Sequence, residues 1–172
     1  FGAALQVLSD GMAVVHLARH SDLHTLAEFE LFALHADLAR HLERYAVASV
    51  LGELMLRFAP NDRQAATYDF FRHSLDVLEV APIDAVAVVG LRSVWGLVKH
   101  LGFAPSLDRC ARDGAMVEGG PTVGFSPAHG GVLCAQCART VEASRLAVRD
   151  LTDLGNLIHG RDDLPSFDAR YL

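Results

Sequence analysis

All three cysteines of this chain lie in one glycine-rich stretch, residues 101–137, and no other feature constrains the fold as strongly. Cys134 and Cys137 form a C-x-x-C pair, whose two thiolates can reach one metal ion. Cys110 opens a second half-site, in which Asp113 stands where a complete site has its second cysteine. The separation of the two half-sites along the chain is typical of a zinc ribbon or a pair of zinc knuckles. The sequence therefore predicts a loop that is held together by a metal ion.

The sequence leaves the fourth ligand open. Asp113 occupies the register of the missing thiol and is followed by Gly114, as the second cysteine of a knuckle is. His129 has the better ligand chemistry, but it precedes Cys134 at a position where no half-site is expected. Water is the third alternative, and a metal-free hairpin is the alternative to the site itself. The predicted ligands of a structural zinc ion are Cys110, Asp113, Cys134 and Cys137, with His129 as the alternative to Asp113.

A catalytic role for this metal is the less favoured interpretation. A catalytic zinc ion needs an open coordination position beside a general base, and a water ligand with Glu118 or Asp113 as the base would supply both. Three thiolates, however, donate so much charge that the metal becomes a poor Lewis acid. Neither a HExxH motif nor a phosphate-binding glycine loop occurs in the chain. The sequence therefore predicts a protein that is not an enzyme.

Composition bounds the remaining functions. With 51% hydrophobic and 21% charged residues, the 172-residue chain can bury one substantial core but is too short for two full-sized domains. Its formal charge of -6 gives no overall basic signature, so a nucleic-acid contact has to be local or be made by sequence outside this chain. The apolar run at residues 85–98 contains Arg92 and is too short to cross a bilayer. Clustered cysteines without a secretion signal favour the reducing cytoplasm, so no membrane partner is expected.

The first third of the chain predicts strands followed by a long helix. The β-branched run at residues 12–19 predicts a strand, with residues 3–8 as its hairpin partner. Residues 25–28 have the form of a helix capping box, although residues 25–32 are equally compatible with a last strand that runs into the helix. Leucine and tyrosine residues at helical spacing predict the long helix itself over residues 36–58.

Apolar residues at helical spacing predict four further helices in the rest of the chain. Two of them, at residues 64–78 and 83–101, precede the cysteine stretch, and Gly102 is well placed to end the second. The other two, at residues 139–146 and 149–158, follow it. Within the cysteine stretch we expect a hairpin of short strands at residues 122–125 and 131–133, opposite a knuckle at residues 110–114.

Several motifs occur in a characteristic order in and around the cysteine stretch. Residues 101–110 contain Pro105 and Cys110, and residues 125–137 contain Gly-Gly followed by C-x-x-C. These motifs resemble the zinc-finger region of the RecO family of bacterial recombination mediators. Upstream, residues 19–26 and the Leu-Glu-Arg-Tyr-Ala run that begins at residue 42 resemble its junction between an OB-fold and a helical domain. The resemblance extends over most of the chain, and its specificity comes from the order of several motifs.

The resemblance implies a mainly α fold. It implies a helical bundle with an inserted zinc-ribbon-like β-hairpin loop, preceded by the terminal strands of an OB-fold. Residues 1–32 would be the C-terminal part of the OB-fold and residues 33–172 the helical domain, with the zinc-finger-like insertion at residues 103–138. The chain would then be a fragment that lacks most of the OB-fold. Three of the four family cysteines correspond to cysteines of this chain, whereas Asp113 departs from the pattern.

The resemblance also implies a function in recombinational DNA repair. Such a mediator is not an enzyme: it binds and anneals single-stranded DNA, contacts RecR and the C-terminal tail of single-strand-binding protein, and indirectly helps to load RecA. Its implied localisation is cytoplasmic and nucleoid-associated. The alternative function is a generic helical protein-interaction module whose zinc ribbon is purely structural.

Arginines are the candidate contact residues for these partners. Three of them flank the predicted metal ligands, where they can reach phosphates, and three others lie on the predicted helices, where they can meet the carboxylates of an acidic peptide tail. The alternative is an ordinary solvated surface, because isolated surface charges are weak evidence. The candidate DNA or partner contacts are Arg40, Arg44, Arg92, Arg109, Arg112 and Arg139.

Overall fold

The computed structural model describes residues 5–20, 23–117 and 119–160. Its helices are α1 (Leu42–Phe58), α2 (Ala65–Val80), α3 (Val86–His100) and α4 (Val148–His159). Its strands are β1 (Asp10–His16), β2 (Thr25–Ala33), β3 (Thr122–Ser126), β4 (Gly131–Leu133) and β5 (Ser144–Ala147). The described part is mainly α with two small sheets, which confirms the predicted fold class. None of its helices combines the length and the apolar character that a membrane crossing requires.

The main core lies between α1, α2 and α3. The largest side chains in it are leucines with almost no exposed surface: Leu38, Leu51, Leu75, Leu78 and Leu97. Glycines on α3 allow the neighbouring helices to come close, because a Cβ at Gly90 would lie 2.8 Å from a methyl group of Val47 and a Cβ at Gly96 would overlap the ring of Phe70. Because α3 also contacts α4, it is the central helix of the bundle.

The end of α3 matches the prediction for Gly102. Gly102 has a φ of +86°, a left-handed conformation that glycine adopts without strain. Its N–H donates to the carbonyl of Lys99 at 3.0 Å, and the N–H of Phe103 donates to the carbonyl of Val98 at 2.9 Å. This pair of hydrogen bonds is a Schellman motif, which ends the helix where the cysteine-containing stretch begins.

The start of the chain differs from the prediction in two respects. The hairpin partner of β1 is β2, not residues 3–8; residues 5–8 precede β1 without joining a strand, and residues 1–4 lie outside the described residues. The long helix starts at Leu42 instead of residue 36, because residues 25–33 are hydrogen-bonded to β1 and His35 has a left-handed φ of 51°. The strand interpretation of residues 25–32 is thus confirmed, and the capping-box interpretation is wrong.

The segment after the C-x-x-C pair is also different from the prediction. Residues 139–146 were expected to be helical, but they contain the end of a 3-10 turn, Cys137–Arg139, and most of β5. β5 pairs antiparallel with β3, with Thr122 opposite Ala147, and completes a sheet in the order β4-β3-β5. The free edge of β3 provides hydrogen-bond partners that a sequence pattern does not reveal, so tertiary pairing overrides local helix propensity here.

The β1–β2 hairpin is attached to α2 by polar contacts. The carboxylate of Asp10, which is almost buried, accepts a hydrogen bond from the hydroxyl of Tyr68 and lies 3.7 Å from Arg72. This hydrogen bond is the main cause that raises the pKa of Tyr68 to about 12. At the same end of the hairpin, just after β2, Nδ1 of His35 lies 3.0 Å from a carboxylate oxygen of Glu79. Both contacts involve α2, so this helix positions the hairpin.

The close packing at Gly96 leads to a stability prediction. We expect Gly96→Ala to destabilise the protein by about 1–3 kcal/mol, because the added methyl group must displace the Phe70 ring. Gly52→Ala on α1 is the matched control: its Cβ would meet only a methyl group of Leu8 at 3.5 Å. It should stabilise the protein by about 0.5–1 kcal/mol through helix propensity. Urea unfolding of both variants measures the two effects, and equal effects would contradict the packing at Gly96.

Candidate metal centre

The first half-site is a tight turn that begins at Cys110. The N–H of Cys110 donates to the carbonyl of Ala115 at 2.8 Å, and the N–H of Gly114 donates back to the carbonyl of Cys110 at 2.9 Å. Gly114 has a φ of +74°, which favours glycine at this position. The turn directs the side chain of Asp113 toward the same point as the thiol of Cys110. This is the knuckle that the sequence predicts, with a carboxylate in the second ligand position.

The second half-site follows the β3–β4 hairpin. β4 ends at Leu133, so Cys134 is the first residue beyond the strand. The N–H of Ala138 donates to the carbonyl of Cys134 at 2.9 Å, and the N–H of Cys137 lies 3.4 Å from the sulfur of Cys134. The C-x-x-C pair therefore forms a compact turn whose two sulfurs point to the same side.

Backbone pairing joins the two half-sites. Ser106, which precedes the first half-site, accepts a hydrogen bond from the N–H of Val132 and donates its own N–H to Gly130, both at 2.9 Å. The N–H of Ala111 donates to the carbonyl of Val132 at 2.8 Å. Gly131 has a φ of +156°, and a Cβ on it would overlap the backbone of Ser106. A residue with a side chain at this position would separate the two halves.

The four predicted ligand atoms meet at one point. One atom from each of Cys110, Asp113, Cys134 and Cys137 lies within 4.8 Å of all the others. Oδ2 of Asp113 is 3.3 Å from the sulfur of Cys134 and 3.2 Å from that of Cys137. A tetrahedral zinc ion with sulfur ligands at about 2.3 Å and an oxygen ligand at about 2.0 Å has neighbouring ligand atoms roughly 3.5–3.8 Å apart. The donor set and its spacing therefore fit one such ion.

Burial and hydrogen bonding set the protonation of this cluster. The N–H of Ala115 and the thiols of Cys110, Cys137 and Cys134 all donate to Asp113, which holds the pKa of its carboxyl well below the usual range. The same carboxylate is the main cause that raises the pKa of the Cys137 thiol to about 12. Without a metal ion, an ionised Asp113 thus faces the protonated thiol of Cys137. A metal ion would take the place of that proton.

Other residues that the sequence singled out lie elsewhere. His129 ends a 3-10 turn, where its Nδ1 is 3.1 Å from the hydroxyl of Ser126, and it is not part of the four-residue cluster. Glu118, the candidate general base, lies outside the described residues. Arg109 donates to the carbonyl of Gly114 at 3.3 Å, within the first half-site.

The remaining candidate arginines are distributed over the molecule. Arg112 donates to the hydroxyl of Thr140 at 2.7 Å, and Arg139 lines a cavity of about 540 Å³ beside the ligand cluster. Arg40 forms an exposed ion pair with Asp37, and Arg44 donates to the carbonyl of Ala81 at 2.6 Å. The last of the six, Arg92 on α3, lines a cleft of about 320 Å³ between α2, α3 and α4.

Sequence reasoning missed the basic character of this cleft. Its lining combines apolar residues with a set of basic and imidazole side chains: His73, Arg92, Lys99, His100 and His159. No acidic residue lines it among the residues that the structure describes. The sequence of α3 contains a signal for this cleft. Arg92, Gly96 and Lys99 are spaced to lie on one face of the helix, so that two cations flank a position without a side chain.

The comparison with known protein families agrees with this architecture. The family model described as "Recombination protein O C terminal" matches residues 39–168, which include all four helices and both half-sites. The chain belongs to the RecO family. The resemblance that the sequence motifs indicated is therefore confirmed.

Individual relatives of the RecO family match over most of this chain. It is 32% identical over 163 residues to the DNA repair protein RecO of Symbiobacterium thermophilum, covering 93% of this chain and 63% of the relative. It is 33% identical over 142 residues to the DNA repair protein RecO of an Anaeromyxobacter species, covering 80% of this chain and 54% of the relative. The chain thus spans 54% to 63% of the length of these two RecO proteins.

The protonation of the cluster leads to a pH prediction. Because the pKa of Cys137 is raised and that of Asp113 is lowered, metal binding near neutral pH releases the thiol proton of Cys137 but no carboxyl proton. We expect the affinity for Co²⁺ or Zn²⁺ to fall as pH is lowered, about tenfold per pH unit for each proton displaced. Titration with Co²⁺, followed by thiolate-to-metal absorbance between about pH 6 and 8, measures this slope. Asp113→Cys should make the dependence of affinity on pH steeper. An affinity that does not change with pH would contradict the assignment of thiols as metal ligands.

Proposed function

We propose that this chain is the helical part of a RecO-type mediator of recombinational DNA repair. Such a protein binds and anneals single-stranded DNA and, with RecR, helps to load RecA onto DNA covered by single-strand-binding protein. The single observation that carries the proposal is the family match over residues 39–168, together with relatives named as DNA repair proteins. A cytoplasmic, nucleoid-associated localisation follows from the same role.

We further propose a division of the chain into the end of an OB-fold, residues 1–32, and a helical domain, residues 33–172, with the insertion at residues 103–138. The β1–β2 hairpin supports the first part, because several of its large apolar side chains are exposed. These are Met12, Val14, Val15, Leu31 and Phe32. Further OB-fold strands would cover such a surface, since a two-stranded hairpin is not stable alone.

The proposed role of the metal ion is structural. A zinc ion at Cys110, Asp113, Cys134 and Cys137 would cross-link the two half-sites, and the fit of the donor atoms supports this assignment. The apolar cluster around the site is small, so a metal ion would add to the stabilisation that the short sheet and the backbone pairing already provide. Three thiolate ligands also make the ion a weak Lewis acid, which supports a protein that is not an enzyme.

The basic cleft supports a binding site for the tail of single-strand-binding protein. A hydrophobic and acidic tail requires an apolar groove with cations at its rim, and the cleft between α2, α3 and α4 has both. Of the three helical arginines proposed for this contact, Arg92 lines this cleft, whereas Arg40 and Arg44 lie outside its lining. For DNA phosphates, Arg139 is better placed than Arg109 and Arg112, whose side chains are bonded within the insertion.

The cleft leads to a prediction for tail binding. We expect Arg92→Ala to weaken binding of a peptide with the hydrophobic and acidic tail by about tenfold, because a cation at the rim of the cleft is lost. Arg57→Ala is the matched control: Arg57 is an exposed α1 residue whose ion pair with Glu53 is outside the cleft. Fluorescence anisotropy of the labelled peptide gives both affinities. Equal affinities for the two variants would contradict this site.

The decisive experiment for the proposed function is strand annealing. We expect the full-length protein to accelerate annealing of complementary oligonucleotides above the rate in a mock preparation. The affinity for single-stranded DNA should decrease as salt rises, since phosphate contacts release counterions. Fluorescence quenching between labelled strands follows the reaction. A protein that neither binds DNA nor anneals it, while binding partners independently of salt, would instead be a generic helical interaction module.

A further inference from the structure

A second connection joins the two half-sites besides the ligand atoms. Arg112 lies between two ligands of the first half-site, and its Nη1 donates to the hydroxyl of Thr140 at 2.7 Å. Thr140 lies just after the second half-site, and its hydroxyl donates to the carbonyl of Cys137 at 2.9 Å. A guanidinium can only donate a hydrogen bond and a carbonyl can only accept one. The hydroxyl of Thr140 therefore accepts from Arg112 and donates to Cys137.

Arg112 also contacts the first half-site through its backbone. Its N–H is one of three that point at the sulfur of Cys110, together with those of Asp113 and Cys134. The main chain of Arg112 thus orients a ligand of one half-site, while its side chain holds the turn that carries a ligand of the other. Arg109 differs, since its side chain donates to the carbonyl of Gly114 within its own half-site.

The positive charge of Arg112 would also stabilise the metal centre. A divalent ion neutralises only half of the negative charge of three thiolates and one carboxylate, so a loaded site keeps a surplus of negative charge. A guanidinium that is fixed beside the site offsets this surplus. The same side chain therefore supplies both a geometric link and a compensating charge.

We propose that Arg112, acting through Thr140, is a positioning residue that holds the two half-sites of the metal centre together. This inference rests on the proposed metal site. Partners around metal ligands typically change metal affinity by about 10–100-fold. Because Arg112 and Thr140 are exposed, the effect belongs at the lower end of that range.

The test compares variants of the whole chain for release of zinc to an excess of chelator. Arg112→Ala and Thr140→Val should each release zinc about tenfold faster than the wild type. Thr140→Ser keeps the hydroxyl and should restore slow release, whereas a generally destabilised loop would not be rescued. Arg112→Gln keeps a donor without the charge, so its rate separates the hydrogen bond from the electrostatic effect. Arg149→Ala, which removes an exposed arginine of α4, is the control and should release zinc at the wild-type rate.

A double variant makes the test sharper. If Arg112 acts through Thr140, the combined Arg112→Ala and Thr140→Val variant should release zinc no faster than the more strongly affected single variant. Fully additive effects would overturn the proposed linkage. Equal release rates for Arg112→Ala, Arg149→Ala and the wild type would overturn the positioning role.

A metal-free readout separates this inference from the metal assignment. In protein without metal, the link should still shield Cys137, so Arg112→Ala should increase the alkylation rate of this thiol, whereas Arg149→Ala should not. Wild-type protein that retains no zinc in elemental analysis would contradict the metal assignment alone, and the alkylation rates would still decide the role of Arg112. Unchanged alkylation of Cys137 in Arg112→Ala would overturn it.

Discussion

The backbone pairing of Ser106 with residues 130–132 is the contact on which the rest of the insertion depends. It brings two distant chain segments into register, and the ligand side chains meet because their backbones already do. The pairing requires a position without a side chain, which Gly131 provides. A metal ion would then stabilise an arrangement that the main chain has prepared, so the glycine is as much a part of the centre as the cysteines are.

Three kinds of cohesion operate in different parts of the molecule. The helices are held by a leucine-rich core, and the β1–β2 hairpin by ion pairs and hydrogen bonds to α2. The cysteine-containing segment is held by hydrogen bonds to Asp113 and by a short sheet. Apolar burial varies little with salt or pH, whereas the other two depend on charged groups. The stability of the helical bundle should therefore change little with salt and pH, whereas the stability of the hairpin and of the cysteine-containing segment should depend on both.

The sequence predicted those elements whose structure depends on residues close to one another along the chain. Helical spacing predicted α2, α3 and α4 within a few residues, and cysteine spacing predicted that Cys110, Cys134 and Cys137 lie close together, as they do. The errors arose where a distant partner decides the local structure. β5 is a strand because β3 has a free edge, and α1 starts late because β2 is paired and His35 is left-handed. The link through Thr140 was missed for the same reason, since nothing in the sequence pairs it with Arg112.

The packing of α4 against α3 has a consequence for the whole insertion. The chain leaves the bundle at the end of one of these helices and returns at the start of the other, so the bundle closes its own surface across the gap. None of the buried residues that form the leucine core in the described part of the chain lies between α3 and α4. A carboxylate in place of one thiolate therefore changes contacts outside that core and leaves the packing of its leucines as it is.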